Sequence, residues 1–174
     1  MARPRARLAA VELPRADLET RVTDDHHDSL RIWLRLLACT HLIEARVRQN
    51  LQGQFGTTLP RFDLMAQLER APAGLKMTEL SRRMMVTGGN ITGITDLLEK
   101  EGLVVRDADP DDRRAYRVKL TKEGSRAFGR MAAEHERWIV GLFEGLSARE
   151  KQTLGELLAR LKRHVASNSS LQRS

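Results

Sequence analysis

The segment RDADPDDRRAYRVKL, Arg106 to Leu120, restricts the fold more than any other part of this chain. It holds four aspartates and four arginines, with Lys119 near its end. It is too charged for a core strand, and Pro110 bars a long helix through it. Yet GLVV precedes the charged part and YRVKL closes it. These short runs, with β-branched and aromatic residues, read as strands, LVVRD and AYRVKL. Two strands joined by a charged tip form a β-hairpin. Its flanks hold a small sheet on the domain, and its tip stays in water.

The rest of the chain is helical in pattern. From Ser29, the residues Trp33, Leu36, Leu37, Thr40, Ile43, Val47 and Leu51 recur at three- and four-residue steps, and Gly53 and Gly56 fray or end that helix. LPRFDLMAQLERAPAG predicts a shorter helix starting near Pro60 and stopped by Pro72 and Gly74. MTELSRRM predicts a very short one. In VTGGNITGITDLLEKEGL, Thr87 is placed to cap a helix, Ile91, Ile94 and Leu98 form its apolar stripe, and Gly102 stops it. The other face of that helix begins with Gly88, Gly89, Asn90, Thr92 and Gly93. Glycine costs roughly 1 kcal/mol per helical position relative to alanine, so stability alone does not select three of them. Small residues permit close approach to another surface.

After the hairpin, Thr121 caps a long helix with Phe128, Met131, Ala132, His135, Trp138, Ile139 and Leu142 on its apolar face. Ser147 to Glu150, SARE, is a capping box that opens a last helix with a stripe of Leu154, Leu157, Leu158, Leu161 and Val165. Residues 1–27 mix prolines, arginines and DDHHD without a period and read as a flexible basic arm. Residues 167–174 read as a disordered tail. There is no internal repeat.

Composition narrows the function. The 174 residues are 41% hydrophobic and 30% charged, as in a soluble globular protein. The formal net charge of +7 fits either a polyanionic partner or a merely basic surface. Between Lys76 and Lys119, nine basic residues face eight acidic ones, so placement rather than total charge makes any nucleic-acid case. Aromatic residues are 4%, too few for a single-strand stacking platform. The single cysteine, Cys39, forms no internal disulfide and fits a reducing compartment. No apolar run approaches the roughly 20 residues that span a bilayer, and the N-terminus has no apolar signal core. The expected location is the cytoplasm, with no membrane partner. No P-loop, strand-borne GxGxxG, HExxH or GxSxG is present, so an enzyme is not expected. No cofactor is expected either. His26, His27 and Asp28 lack further ligands at metal-binding spacing, so no metal site is assigned.

A short helix, a turn and a second helix make a helix-turn-helix whose second helix lays its N-terminal face in the major groove. The hairpin behind it is a wing whose arginines reach the narrow, negative minor groove. The expected fold class is mainly α with a small β-wing: a winged helix-turn-helix DNA-binding domain flanked by outer helices, which the family resemblance below makes a helical dimerisation domain.

In the motifs LSRRMMVTGGNITGITDLLEKEGLVVRDADPDDRRAYRVKLTKEG and the order of the flanking helices, the chain resembles the MarR family of winged helix-turn-helix regulators, from about Leu30 to Val165. The match at DPDDRRAYRVKLT and the following LT.EG spacing is the most specific part. The chain departs from many members at Asp111, where they carry a basic residue. The resemblance implies a homodimer of interlocked outer helices, here 28–58 and 122–166. It implies one winged domain per protomer, here 59–121, and a ligand cleft between the two parts. The implied partner is double-stranded DNA with a pseudo-palindromic operator. Asp112 would hold the wing through Arg114, and Arg114 would be the minor-groove arginine. Arg113 would face phosphate or pack within the wing. Arg82 and Arg83 would touch phosphate or brace the wing; the bland alternative is a solvated face. Thr87, Gly88, Gly89, Asn90 and Thr92 would meet base edges or phosphates.

The resemblance further implies a repressor released by a small, anionic aromatic ligand. PRFDLMAQLER and HERW resemble a branch linked to breakdown of aromatic acids, so the free acid or its CoA thioester is the expected ligand. Candidate lining residues are Trp33, His41, Arg61, Phe62, Met65, Met131, His135 and Trp138. Plain core or dimer packing is the alternative for the apolar ones, and a hydrogen-bonded core position for the histidines. Arg46 and Arg48 are candidates for a thioester's phosphates, against solvated arginines or arginines on DNA phosphate. Two other functions stand beside this one. A repressor sensing oxidation through Cys39 needs an electropositive, accessible thiol. A purely structural helical dimer leaves the glycine-rich face and charged hairpin without a purpose.

Overall fold

A computed structural model describes residues 27–109 and 116–171. Its elements are α1 (Asp28–Phe55), α2 (Leu59–Glu69), β1 (Leu75–Lys76), α3 (Met77–Met84), α4 (Gly88–Lys100), β2 (Val104–Ala108), β3 (Tyr116–Leu120), α5 (Lys122–Leu142) and α6 (Ala148–Leu171). The arm at 1–26, the wing tip at 110–115 and the last three residues lie outside the described residues. The described residues fall into two compact units that divide after Ala45.

The first unit holds the N-terminal part of α1. Arg31 pairs with Asp28 in the first turn, and the Thr40 hydroxyl donates back to the Leu36 carbonyl at 2.8 Å. Leu30, Ile32, Trp33 and Leu42 are exposed on it.

In the second unit, the end of α1 buries Val47 and Leu51, and Gly56, at φ +61°, closes the helix as a left-handed residue. Thr58 precedes α2 in an extended conformation and its carbonyl accepts from Arg61 and Phe62 N–H, with Pro60 in the first turn, where no intrahelical N–H bond is lost. Gly74 ends the connection at φ +85°. A Cβ there would stand 2.7 Å from Lys119 Cγ, so glycine lets the chain lie against β3.

β1 was not foreseen. It is only two residues long, and two residues carry no readable alternation. It pairs antiparallel with β3, Leu75 opposite Val118, and completes a sheet of order β1-β3-β2. The foreseen hairpin is present, with Val104 opposite Leu120 and Ala108 opposite Tyr116. Val104 and Val118 point into the core, where Leu64, Leu68, Leu75, Leu80, Ile91 and Leu98 are also buried. Each such side chain contributes roughly 1.5–3 kcal/mol through burial.

The stripe of α4 differs in detail from the expected one. Ile91 and Leu98 are buried and Ile94 is half-buried, while Thr95 joins them as a buried polar residue. Its hydroxyl donates to the Ile91 carbonyl at 2.8 Å, which removes the cost of burying it. Gly102, at φ +72°, ends the helix as expected.

Thr121 caps α5 with its side chain, accepting from Gly124 N–H at 2.9 Å, while the same hydroxyl donates to the Gly102 carbonyl. A Cβ on Gly124 would meet the Leu103 carbonyl oxygen at 1.9 Å, so α5 begins in backbone contact with the start of β2. The capping box at α6 forms in both directions, Glu150 N–H to the Ser147 hydroxyl and Ser147 N–H to the Glu150 carboxylate. The hydrogen bonds from Ser147 hold the Glu150 carboxyl below its usual pKa. Leu157, Leu158, Leu161 and Val165 of α6 are 40–55% exposed. No helix among the described residues is long and apolar enough to cross a membrane.

Candidate nucleic-acid interface

α3 and α4 meet through a tight turn. Met85 sits in it at φ 54°, the left-handed region where a side chain is strained, and is 93% exposed. Its N–H caps α3 by donating to the Arg82 carbonyl, and Val86 N–H donates to the Ser81 carbonyl at 3.2 Å. These bonds set the angle at which α4 leaves.

The first turns of α4 face outward. Thr87, Gly88, Gly89, Asn90, Thr92 and Gly93 are all exposed. A Cβ at Gly88, Gly89 or Gly93 would meet nothing within 4 Å, so no internal contact explains the glycines. Thr87 stands at the N-cap, but its side chain makes no capping bond there; its carbonyl accepts from Asn90 and Ile91 N–H. The threonine hydroxyl is thereby left for another partner. Thr92 donates to the Gly88 carbonyl at 3.0 Å. Asn90 makes no side-chain hydrogen bond among the described residues. Arg82 and Arg83 are exposed at the end of α3, where Arg83 is held by Glu79 one turn earlier.

The root of the wing is tied by ion pairs that sequence reasoning did not locate. Arg106 on β2 bridges two carboxylates of α4, Asp96 and Glu99, and so joins wing to helix. Lys119 pairs with Asp107 across the hairpin at 3.1 Å. Asp109, whose side chain is fully buried, accepts from Arg117 Nε at 2.8 Å and lies 3.3 Å from Lys76 Nζ. It is the last described residue before the tip, so this carboxylate ties the departing chain to both β3 and β1. The density of aspartates around Pro110 was the available signal, but nothing local tells which aspartate turns inward. Asp112, Arg113 and Arg114 lie outside the described residues.

The candidate ligand residues divide. In the first unit, Trp33 is more than half exposed and His41 and Cys39 are exposed. In the second, α2 and α5 bring Phe62, His135 and Trp138 together with Phe55 and Phe128. Ring centroids are 4.8 Å apart for Phe62–His135, 5.4 Å for Phe62–Phe128 and 6.2 Å for Phe55–Trp138. Burial lowers the pKa of His135, because desolvation disfavours the imidazolium. Beside this cluster lies a cavity of about 220 Å³ lined by Arg61, Met65 and Met131 among the expected residues, and by Phe55, Thr57, Glu101, Leu103 and Arg130. Phe62, Met65 and Met131 are buried, as packing residues are. Arg61 pairs with Glu101 at the end of α4. Arg46 reaches Gln49 at 3.4 Å, and Arg48 is exposed, both on α1. No group of three or more His, Cys, Asp or Glu among the described residues is placed to hold a metal ion.

Residues 57–116 match the model of the MarR family. The chain is 27% identical over 134 residues to the HTH-type transcriptional regulator PecS of Dickeya dadantii, covering 76% of this chain and 81% of that protein. An uncharacterized HTH-type transcriptional regulator of Bacillus cereus is 31% identical over 134 residues, 76% of this chain and 88% of its own length. Among solved structures, Sco3205, a MarR family transcriptional regulator from Streptomyces coelicolor in complex with DNA, superposes with a TM-score of 0.69 at 25% identity, covering 82% of this chain and 90% of that one.

Proposed function

The chain belongs to the MarR family of winged-helix transcriptional regulators, which are not enzymes, and from that premise we propose that it is a homodimeric, operator-binding repressor released by an anionic aromatic ligand. The observation that carries the DNA role is the face of α4. Thr87, Gly88, Gly89, Asn90 and Thr92 are exposed, small or polar, and the glycines have no internal neighbour. Such a face admits close approach of a groove, and Asn90 has the paired donor and acceptor that suit an adenine edge. Arg82 and Arg83 flank it. Arg113 and Arg114 on the wing would meet phosphate and the minor groove, with Asp112 supporting them. Sco3205, a structural relative of this chain, binds DNA, which supports the same role here.

The dimer is supported by α6, whose apolar stripe of Leu157, Leu158, Leu161 and Val165 is 40–55% exposed. In this proposal 28–58 and 122–166 form the dimerisation region, 59–121 the DNA-binding domain and 1–27 a basic arm, while residues 167–171, expected to belong to a disordered tail at 167–174, instead continue α6. A twofold dimer calls for a pseudo-palindrome with half-sites about one helical turn apart. The ligand part, an aromatic acid or its CoA thioester, is supported by the aromatic cluster and by the cavity with Arg61 and Arg130 beside it.

The test is binding of the full chain to the DNA upstream of its own gene, at fixed salt, with and without aromatic acids and their CoA thioesters. Specific binding released by one compound class is the expected result. Absence of specific binding would refute the DNA role. Release by peroxide and not by any acid or thioester would shift the proposal to Cys39.

A further inference from the structure

We propose that Met85 is a specificity-determining residue of the DNA-binding face, an apolar side chain that reads the 5-methyl group of a thymine at the edge of the major groove. The proposal rests on the DNA-binding role above and names a base that this chain selects.

Met85 gains nothing from the fold in which it sits. It is the one non-glycine residue with a positive φ among the described residues, at 54°, where glycine would sit without the steric cost of a Cβ. It is 93% exposed, and no other large apolar side chain among the described residues exceeds 56%. The position therefore carries strain, and no burial offsets it. Only the backbone of Met85 serves the fold, through the N–H that donates to the Arg82 carbonyl, and a glycine would supply the same N–H. A side chain kept against both conformational preference and burial points to a partner outside the protomer.

The neighbours decide the kind of partner. Arg82, Arg83, Thr87, Gly88 and Gly89 are all exposed beside it in the chain, and none is a large apolar group. Met85 is thus no centre of an apolar patch that a protein or a bilayer would cover. It is a single apolar group set between cations and a helix start that is poor in side chains. Arg82 makes no ion pair among the described residues, which leaves its guanidinium to a phosphate. Arg83 is held by Glu79. On the other side, a Cβ built on Gly88 or Gly89 meets nothing within 4 Å, so the start of α4 is open to a deep approach.

This order places Met85 on the groove edge. Arginine lies on the phosphates to one side of it, and the first turn of α4 lies on the base edges to the other. The apolar feature that a base pair presents in the major groove is the thymine methyl. Methionine suits it, because an unbranched thioether adapts to the shape it meets. The same side chain discriminates against cytosine, which lacks the methyl and presents an amino donor that a thioether accepts only weakly. Asn90, with its paired donor and acceptor, reads hydrogen bonds; Met85 reads the methyl.

The experiment uses the full-length protein. Footprinting on the DNA upstream of its gene locates the protected stretch, and each thymine there is replaced in turn by uracil, which removes the methyl and keeps the pairing. Anisotropy at fixed salt compares wild type with Met85→Ala, Met85→Leu and Met85→Gly. Uracil at one thymine of each half-site is expected to weaken wild type by about fourfold, the worth of one buried methyl, and to leave Met85→Ala unchanged. Met85→Ala and Met85→Gly are expected to bind the operator at least about fourfold more weakly and unrelated DNA as wild type does. Met85→Leu should keep the uracil effect. Thermal unfolding should find Met85→Gly no less stable than wild type, so its lost affinity is not lost structure. Equal uracil penalties in wild type and Met85→Ala would mean that another residue reads the methyl, and the proposal fails while the DNA role stands. It fails in the same way if Met85→Ala and Met85→Gly bind the operator as wild type does. Weakening on operator and unrelated DNA alike, with no uracil effect, would assign Met85 to the sugar-phosphate backbone and refute the thymine. Absence of any footprint would sink the DNA role and this contact with it.

Discussion

Gly89 and Gly93 lie four residues apart on the exposed face of α4, and replacing both with alanine should raise stability while lowering DNA affinity. A Cβ at either position meets nothing within 4 Å, so no clash or packing loss enters. What remains is helix propensity, roughly 1 kcal/mol per interior glycine and less at Gly89, which is only the second residue of the helix. The pair should therefore gain about 1–2 kcal/mol. For a chain of this size that is a rise in Tm of roughly 2–8 °C. The same two methyl groups would stand where the helix approaches a groove. A few tenths of an ångström of forced separation there weakens the phosphate and base contacts of the whole helix, so affinity should drop by about tenfold or more. The assay is paired: thermal or denaturant unfolding of each variant, and anisotropy on the operator and on unrelated DNA at fixed salt. A stability gain with undiminished affinity would mean that this face does not enter the groove. No stability gain would mean that the glycines are held by a contact absent from this protomer.

Gly124→Ala should lower stability by about 3 kcal/mol, since its Cβ would overlap the Leu103 carbonyl and overpacked positions cost about 1–3 kcal/mol or more; denaturant midpoints check it. Met85→Gly should raise stability by about 1 kcal/mol by relieving a left-handed φ of 54°, measured the same way. Asp109→Asn should cost about 1–3 kcal/mol and weaken operator binding, because Arg117 and Lys76 lose their shared anion at the wing root; Asp109→Glu should not restore the geometry, and calorimetric unfolding beside anisotropy reads both. His135 should make stability fall on acidification. Its folded pKa is lowered, so the unfolded chain binds the proton more readily. The contribution is whole above the unfolded value of about 6.5 and is lost as pH falls through the lowered folded value. In His135→Phe that slope between pH 7 and 5 should flatten.

The helices were legible because their information is local. Spacing of Ile91 and Leu98, the Thr121 cap, the Ser147–Glu150 box and the stops at Gly56 and Gly102 each act within a few residues. The hairpin was legible for the same reason, from two β-branched runs around a charged tip. The exposed face of α4 followed from composition, since three glycines on one helix have no stabilising purpose. β1 was illegible because its two residues become a strand only when β3 is beside them. The stripe on α6 could be read as apolar, but periodicity cannot say what covers it.

By itself, then, the sequence determined which segments are helical, and it marked the starts at Thr121 and Ser147 and the stops at Gly56 and Gly102. Capping, propensity and periodicity are short-range effects. Only the tertiary structure decided which of many similar charges are partners. Arg106 reaches Asp96 and Glu99, Asp109 turns inward between Arg117 and Lys76, and Arg61 meets Glu101 forty residues away. An ion pair is worth little until burial removes competing water, and burial is a property of the packed chain.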